Sequence, residues 1–108
     1  MPVIPMEELN LLHSTICQAL GEPKRIQILY ALYDQPRHVT ALAEDLDTPQ
    51  STISRHLAIL RQRSLVTAER DGLSVTYRLA DDTIIQVLDT MRGLLRSILE
   101  RQSNALEN

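Results

Sequence analysis

A run of polar side chains between Gln50 and Gln62 has the residue types that hydrogen-bond to other polar molecules. If the segment is a helix, a step of about 100° per residue leaves one apolar side, formed by Ile53, Leu57 and Leu60. The opposite side carries Ser51, Thr52, Arg55 and Gln62, with Ser54 on its flank and Gln50 at the helix start. Such donors and acceptors suit base edges and phosphate oxygens, and arginine with guanine is the strongest specific pairing. The same composition is also typical of a helix surface that contacts only water. The choice between a DNA-binding surface and a solvated surface therefore depends on the neighbouring elements.

The segment before this run predicts a second, bracing helix. Val39 to Leu46 has apolar residues at helical spacing. The connector to the next helix is short: Thr48 is able to cap that helix, and Pro49 suits its first turn. Residues 39–63 therefore predict a helix-turn-helix, in which the second helix lies in the major groove of DNA.

The segment after the run predicts a β-hairpin. Leu73, Val75, Tyr77 and Leu79 alternate with polar residues, which is the period of a strand. A partner strand over Leu65 to Arg70 and a turn at Asp71-Gly72 complete a hairpin, or wing, over about 65–79. Arg70, beside the turn, is placed to reach an adjacent minor groove or phosphate. This hairpin favours DNA recognition over the solvated-surface interpretation.

Other cationic side chains keep two interpretations open. His56 falls about 60° from the centre of the apolar side, so a structural role and a phosphate contact are equally good. Lys24 and Arg25 can approach the DNA backbone or simply begin a solvated helix. Arg61 and Arg63 suit phosphate contacts or exposed positions.

The remaining chain predicts helices at both ends. Helical spacing indicates helices over about 6–20 and over Lys24 to Tyr33, and Asp81 or Asp82 can cap a last helix over about 82–101. The predicted class is mainly α (α+β), in the order α-α-α-α-β-β-α, as one domain over 1–108. In the last helix, apolar residues recur at intervals of 4, 3, 4 and 3, as in a coiled-coil seam: Ile84, Leu88, Met91, Leu95 and Ile98. So many large apolar side chains exceed what one small chain can bury, which predicts a dimer.

Composition and charge limit the classes of function. The chain has 44% hydrophobic and 23% charged residues and a net charge of −3, which is ordinary for a globular protein. Residues 50–78 hold five arginines against two acids, a balance of +3 that leaves −6 elsewhere. Cys17 is the single cysteine, and no signal-peptide pattern or membrane-length apolar run is present. We expect a cytoplasmic protein that is not an enzyme and uses no cofactor.

Three segments together resemble the ArsR/SmtB family of prokaryotic winged-helix repressors. They are residues 22–29, residues 50–60, and Arg70-Asp71-Gly72 with Tyr77-Arg78-Leu79. The resemblance extends from about Leu9 to Leu99. It implies a winged helix-turn-helix homodimer that represses a promoter by binding an inverted repeat in double-stranded DNA. It also implies that Ser51, Thr52, Ser54, Arg55 and His56 belong to the recognition helix, that Arg70 belongs to the wing, and that Leu9, Leu12 and Ile16 join the last helix in the dimer interface.

The sensing residues of that family are largely missing from this sequence. Many members bind metals through a Cys-x-Cys motif in the first helix of the helix-turn-helix, where this chain has residues 41–46 without a thiol. Others use Asp/His and His/Glu pairs on the last helix, which here has no histidine. Carboxylates alone are poor ligands for zinc or nickel. His13 and Cys17, at i and i+4, are the remaining candidates for a metal or thiol sensor, although a buried thiol and a surface or interface histidine are the simpler and favoured explanation.

Three functions therefore stay open. The leading one is a homodimeric DNA-binding repressor without the usual metal sites and with an unknown inducer. The second adds a metal or thiol response at His13 and Cys17. The third is a winged-helix module for protein association, in which no salt-sensitive DNA binding would be found.

Overall fold

The computed structural model describes residues 3–107 and has five helices and a two-stranded hairpin in that range. Helix α1 begins as Met6–Leu12, continues through a π-helical turn at His13–Cys17 and ends with Gln18–Leu20. The elements that follow are α2 (Pro23–Asp34), α3 (Val39–Asp45), α4 (Gln50–Gln62), β1 (Val66–Asp71), β2 (Ser74–Leu79) and α5 (Thr83–Glu107). The predicted class and order of elements are confirmed. Residues 1, 2 and 108 of the predicted 1–108 domain lie outside the described part.

The hydrophobic core joins every helix to the base of the hairpin. Its buried side chains come from α1 to α5 and from β1: Ala19, Ile28, Leu29, Leu32, Leu42, Ile53, Leu57, Leu60, Val66, Ile84, Ile85 and Leu88. Burying one such leucine or isoleucine stabilises the fold by about 1.5–3 kcal/mol. Because α4 contributes three fully buried residues, its apolar side is fixed and its opposite side must face outward.

Helices α3 and α4 end in the same way, which sets the turn between them and the turn into the hairpin. Asp47 and Ser64 both have positive φ, 47° and 63°. The next N–H group reaches back to a carbonyl in each helix, from Thr48 to Ala43 at 3.0 Å and from Leu65 to Leu60 at 2.9 Å. These bonds satisfy carbonyls at the helix ends.

The predicted roles of the connector residues were wrong. The hydroxyl of Thr48 donates to the carbonyl of Leu46 at 2.8 Å and does not cap α4. Pro49 has extended ψ and precedes the helix, which begins at Gln50. The connector therefore closes α3 and leaves the start of α4 without a side-chain cap.

The hairpin is antiparallel, and its register runs from Val66 opposite Leu79 to Asp71 opposite Ser74. Asp71 thus belongs to β1, and the turn consists of Gly72 and Leu73 rather than the predicted Asp71-Gly72. Gly72 has φ of 64°, which a residue without Cβ adopts at low cost. Leu73 projects fully into solvent.

Arg37 fastens the base of the hairpin to the helices. Its backbone exchanges two hydrogen bonds with Tyr77, of 3.1 and 2.9 Å, and its guanidinium pairs with Asp34 at 2.7 Å and with Asp45. One residue therefore ties β2 to the end of α2 and to α3. Sequence inspection gave no indication of this role, because the bridge to Tyr77 spans 40 positions.

Helix α5 begins at a side-chain cap and ends far from the core. The carboxylate of Asp81 accepts the N–H of Thr83 at 2.9 Å, and these hydrogen bonds hold the pKa of Asp81 below its usual range. Its buried residues lie only in the first two turns. The helix continues to Glu107 rather than ending near residue 101 as predicted. Within residues 3–107 we found no helix with the length and apolarity needed to cross a bilayer.

Candidate nucleic-acid interface

Helix α4 presents the predicted polar residues on its outer side. Gln50, Ser51, Ser54, Arg55 and Gln62 are exposed, while Thr52 is half-buried. Helix α3 packs behind, with Leu42 fully buried, and Gln50 Nε2 donates to Thr40 Oγ1 at 3.4 Å. Packing against α3 therefore fixes which side of α4 is buried, and the outer side remains exposed to solvent.

His56 is not part of this exposed side. Only 4% of its surface is accessible, and its Nδ1 lies 3.4 Å from Nη1 of Arg25. Burial, followed by the nearby charges of Arg55 and Arg25, lowers the pKa of His56. The prediction that His56 contacts DNA therefore fails on geometry, because the ring is enclosed by the protein.

A cleft separates α4 from the base of the hairpin. Its volume is about 400 Å³, and it is lined by Ser54, Leu57, Ala58, Arg61, Gln62 and Tyr77. Arg61 is exposed at its edge. Side chains of α4 and Tyr77 of the hairpin therefore line one concave surface.

The wing carries one uncommitted arginine. Arg70 is exposed opposite Val75 near the turn, whereas Arg78 lies 3.9 Å from Glu69. Within residues 3–107, Arg55, Arg61 and Arg70 make no ion pair. These three arginines are thus available to an anionic partner.

A second surface, here called the apolar face, lies along α1 and α5. Its members are large hydrophobic side chains that remain at least one-third exposed: Leu9, Leu12, Val87, Met91, Leu94, Leu95, Ile98 and Leu99. Beside them is a mainly apolar recess of about 450 Å³ whose lining includes Leu12, Ile16, Ile84 and Val87. Ile84 and Leu88, predicted at a dimer interface, are instead buried in the core of the single chain.

The sensor candidates lie at the two ends of the π-helical turn. His13 and Cys17 are both exposed. Within residues 3–107, no three His, Cys, Asp or Glu side chains come together as a metal-binding group. Asp89 accepts a hydrogen bond of 2.5 Å from the hydroxyl of Tyr30, and Asp81 is occupied as a cap. The carboxylates of Asp81 and Asp89 therefore already have structural partners.

The chain has a helix-turn-helix, three further helices and a two-stranded wing that follows the second helix of the motif. This arrangement is the winged helix-turn-helix class. Residues 22–68 match the family described as bacterial regulatory protein, arsR family. A mycobacterial relative, the uncharacterized HTH-type regulator Rv0081 of Mycobacterium tuberculosis H37Rv, is 32% identical over 103 residues, covering 94% of this chain and 90% of Rv0081. The chain belongs to the ArsR family. Because this is a family of regulators, the prediction that the chain is not an enzyme is confirmed.

Solved structures have the same fold. The crystal structure of M. tuberculosis Rv0081 superposes with a TM-score of 0.76 at 30% identity, covering 93% of this chain and 98% of that one. The solution structure of Mb0332 from Mycobacterium bovis, a homodimeric winged helix-turn-helix DNA-binding domain and possible ArsR-family regulator, gives 0.75 at 27% identity, covering 94% and 95%.

The regulator NmtR of M. tuberculosis H37Rv is 43% identical to this chain over 72 residues, which is 67% of this chain. The matched region spans 60% of the length of NmtR and 64% of the length of a mycobacterial SmtB.

Proposed function

We propose that this chain is a sequence-specific DNA-binding repressor of transcription that acts as a homodimer on an inverted-repeat operator in the cytoplasm. The observation that carries the proposal is the division of α4 into a fully buried apolar side and an exposed side of hydroxyl, amide and guanidinium groups. Membership of a family of bacterial regulatory proteins supports the same conclusion.

In this proposal Ser51 and Arg55 lie at the centre of the base contacts. Gln50, Thr52, Ser54 and Gln62 surround them, and Arg70 reaches the adjacent minor groove or phosphate from the wing. An arginine that forms two hydrogen bonds with guanine contributes about 1–3 kcal/mol of discrimination against other bases. Arg61, at the edge of the cleft, suits a phosphate contact, which adds affinity without sequence information.

The apolar face supports the homodimer. A two-fold symmetric interface brings the same patch of both copies together, and exposed leucines beside an apolar recess suit such a contact. Large apolar patches on small proteins are commonly covered by a partner. The homodimeric state described for Mb0332 agrees with this arrangement.

Selection of bound fragments from random DNA, followed by titration of the selected duplex, tests the proposal. We expect an inverted repeat whose half-sites are about one helical turn or a small multiple apart, and binding that weakens steeply with salt. Arg55→Ala should lower affinity about tenfold or more and relax the preference at one base pair in each half-site. Arg96→Ala, which removes an exposed arginine from α5, serves as the control and should change affinity less than threefold.

Two results would contradict this function. Equal affinity and sequence preference for wild type and Arg55→Ala would show that α4 does not read DNA. A complete lack of salt-sensitive DNA binding would favour a protein-association module instead.

A second candidate function adds a sensor at His13 and Cys17, because the π-helical turn leaves both side chains exposed and such turns are frequent at functional sites. Two ligands from one chain do not complete a zinc site, which needs at least three protein ligands. Titrating Zn²⁺, As(III) or an oxidant into the protein–DNA complex tests it. An unchanged affinity for both wild type and Cys17→Ser would eliminate the sensor.

A further inference from the structure

Arg25 lies in the first turn of α2, where α1 has just ended, and binds the last turn of α1. Its Nε donates to the carbonyl of Ala19 at 2.7 Å, and its Nη2 donates to the carbonyl of Gln18 at 3.0 Å. The last carbonyls of a helix have no partner within the helix, and a cation there also interacts favourably with the helix dipole. Arg25, which belongs to the following helix, therefore caps the C-terminal end of α1.

The third guanidinium nitrogen of Arg25 reaches the recognition helix. Nη1 lies 3.4 Å from Nδ1 of His56, which is buried in the middle of α4. A guanidinium can only donate, so Nδ1 must be the unprotonated acceptor and the imidazole proton resides on Nε2. One side chain thus joins the end of α1 to α4 across 31 positions of sequence.

The two helices joined in this way have different proposed tasks. Helix α1 carries Leu9 and Leu12 of the apolar face, so its direction sets how two copies are oriented. Helix α4 carries the polar side that meets DNA. The angle between these helices fixes the distance and the rotation between the two recognition helices of a dimer.

We propose that Arg25 is a positioning residue that sets the angle between α1 and α4 and thereby determines which spacing of half-sites the dimer accepts, without contacting DNA. The inference depends on the proposed function. It differs from a phosphate contact, because each of the three guanidinium nitrogens already faces an acceptor within the chain. The neighbouring Lys24, by contrast, donates to Gln27 of its own helix at 2.7 Å, and this is its one side-chain hydrogen bond within the described residues 3–107.

The test uses the full chain and a set of duplexes with the selected half-sites. In these duplexes the spacing is changed by one base pair in either direction, which rotates one half-site by about 35° relative to the other. Wild type should prefer the selected spacing at least tenfold. Arg25→Lys keeps the charge but lacks the planar fork, so its preference should fall to threefold or less. The salt dependence of Arg25→Gln, which removes the charge, should equal that of wild type, because no phosphate contact is lost. Lys24→Ala is the matched control and should keep the preference.

Substitutions of His56 provide a second measurement that does not require Arg25→Lys to fold. His56→Gln retains an acceptor and should keep the spacing preference, whereas His56→Leu should lose it. The charged groups around the ring are Arg55 on its own helix and Arg25, Lys24 and Glu22 at the start of α2. Since protonation would remove the acceptor, the wild-type preference should weaken only as the pH falls through the pKa of His56, which burial lowers below the ordinary value of about 6.5. The preference of His56→Gln should not change with pH.

The outcomes separate the two proposals. Full spacing preference in Arg25→Lys or in His56→Leu overturns the positioning role. A salt slope lowered by about one in Arg25→Gln also overturns it, because that result assigns Arg25 to a phosphate. If wild type binds no selected duplex, the DNA-reading function fails and the inference fails with it.

Discussion

Leu95 offers a quantitative test of the apolar face. Its side chain is 54% exposed in the single chain, so about half of it is available for burial by a partner. Leu→Ala removes three carbons, which are worth about 2.4 kcal/mol when fully buried, at about 0.8 kcal/mol per carbon. The exposed half then contributes about 1.3 kcal/mol per subunit, and two copies in a symmetric dimer contribute about 2.6 kcal/mol. Leu95→Ala should therefore weaken dimerisation roughly 50- to 100-fold, since 1.4 kcal/mol is a factor of ten.

Sedimentation equilibrium over a series of protein concentrations measures the dimer constant directly. Leu73→Ala is the matched control, because it makes the same chemical change at the fully exposed wing tip, which is not part of the apolar face. It should alter the dimer constant less than twofold. A wild-type protein that stays monomeric at all concentrations, or a Leu95→Ala constant equal to that of wild type, would refute the role of the apolar face. Circular dichroism of both variants checks that the fold is kept.

Three further predictions concern stability. The pKa of His56 is lowered in the folded state, so the contribution of His56 to the free energy of unfolding is complete above about pH 6.5 and is lost as the pH falls through the folded-state pKa. Urea midpoints at pH 7.5 and 5.5 should therefore differ more for wild type than for His56→Gln. Tyr30→Phe removes the hydrogen bond to Asp89 and should cost about 0.5–1 kcal/mol in urea unfolding, whereas an equal loss in the exposed control Tyr33→Phe would argue against that bond. Asp81→Ala should lower the melting temperature, and Asp81→Asn should lower it less. Because the pKa of Asp81 is lowered, the difference in melting temperature between wild type and Asp81→Ala should shrink at pH values below about 3.9. A difference that does not depend on pH would contradict a charged cap.

Features that depend on local periodicity could be predicted from the sequence. Ile53, Leu57 and Leu60 recur at helical spacing, and the structure buries all three. The polar side of α4 follows directly, because whatever is opposite a buried stripe must face outward. The alternation through Val75 and Tyr77 gave the hairpin for the same reason.

Features that depend on distant partners could not be predicted. His56 lies about 60° from the centre of the buried side, a position that sequence periodicity leaves ambiguous, and in the structure its ring is buried and contacts Arg25 on another helix. Ile84, Leu88 and Leu95 belong to the same apolar seam in the sequence. The structure buries Ile84 and Leu88 in the core and leaves Leu95 exposed, a difference that the spacing alone does not show. Thr48 does not cap α4 as predicted, because Asp47 adopts a left-handed conformation that ends α3 immediately before it.

The length of α5 has a consequence for the lifetime of the protein in a cell. Beyond Leu88, its last buried residue, the helix continues for 19 residues to Glu107, or about 28 Å. Most of the stability of a helix in a protein comes from the packing of its apolar side, so in a lone subunit this stretch would frequently unwind and expose an unstructured apolar segment to proteases. A subunit paired through the apolar face would be protected. The rate of turnover should then fall as the number of copies rises, so that a small excess synthesised at low copy number is removed faster than an established pool.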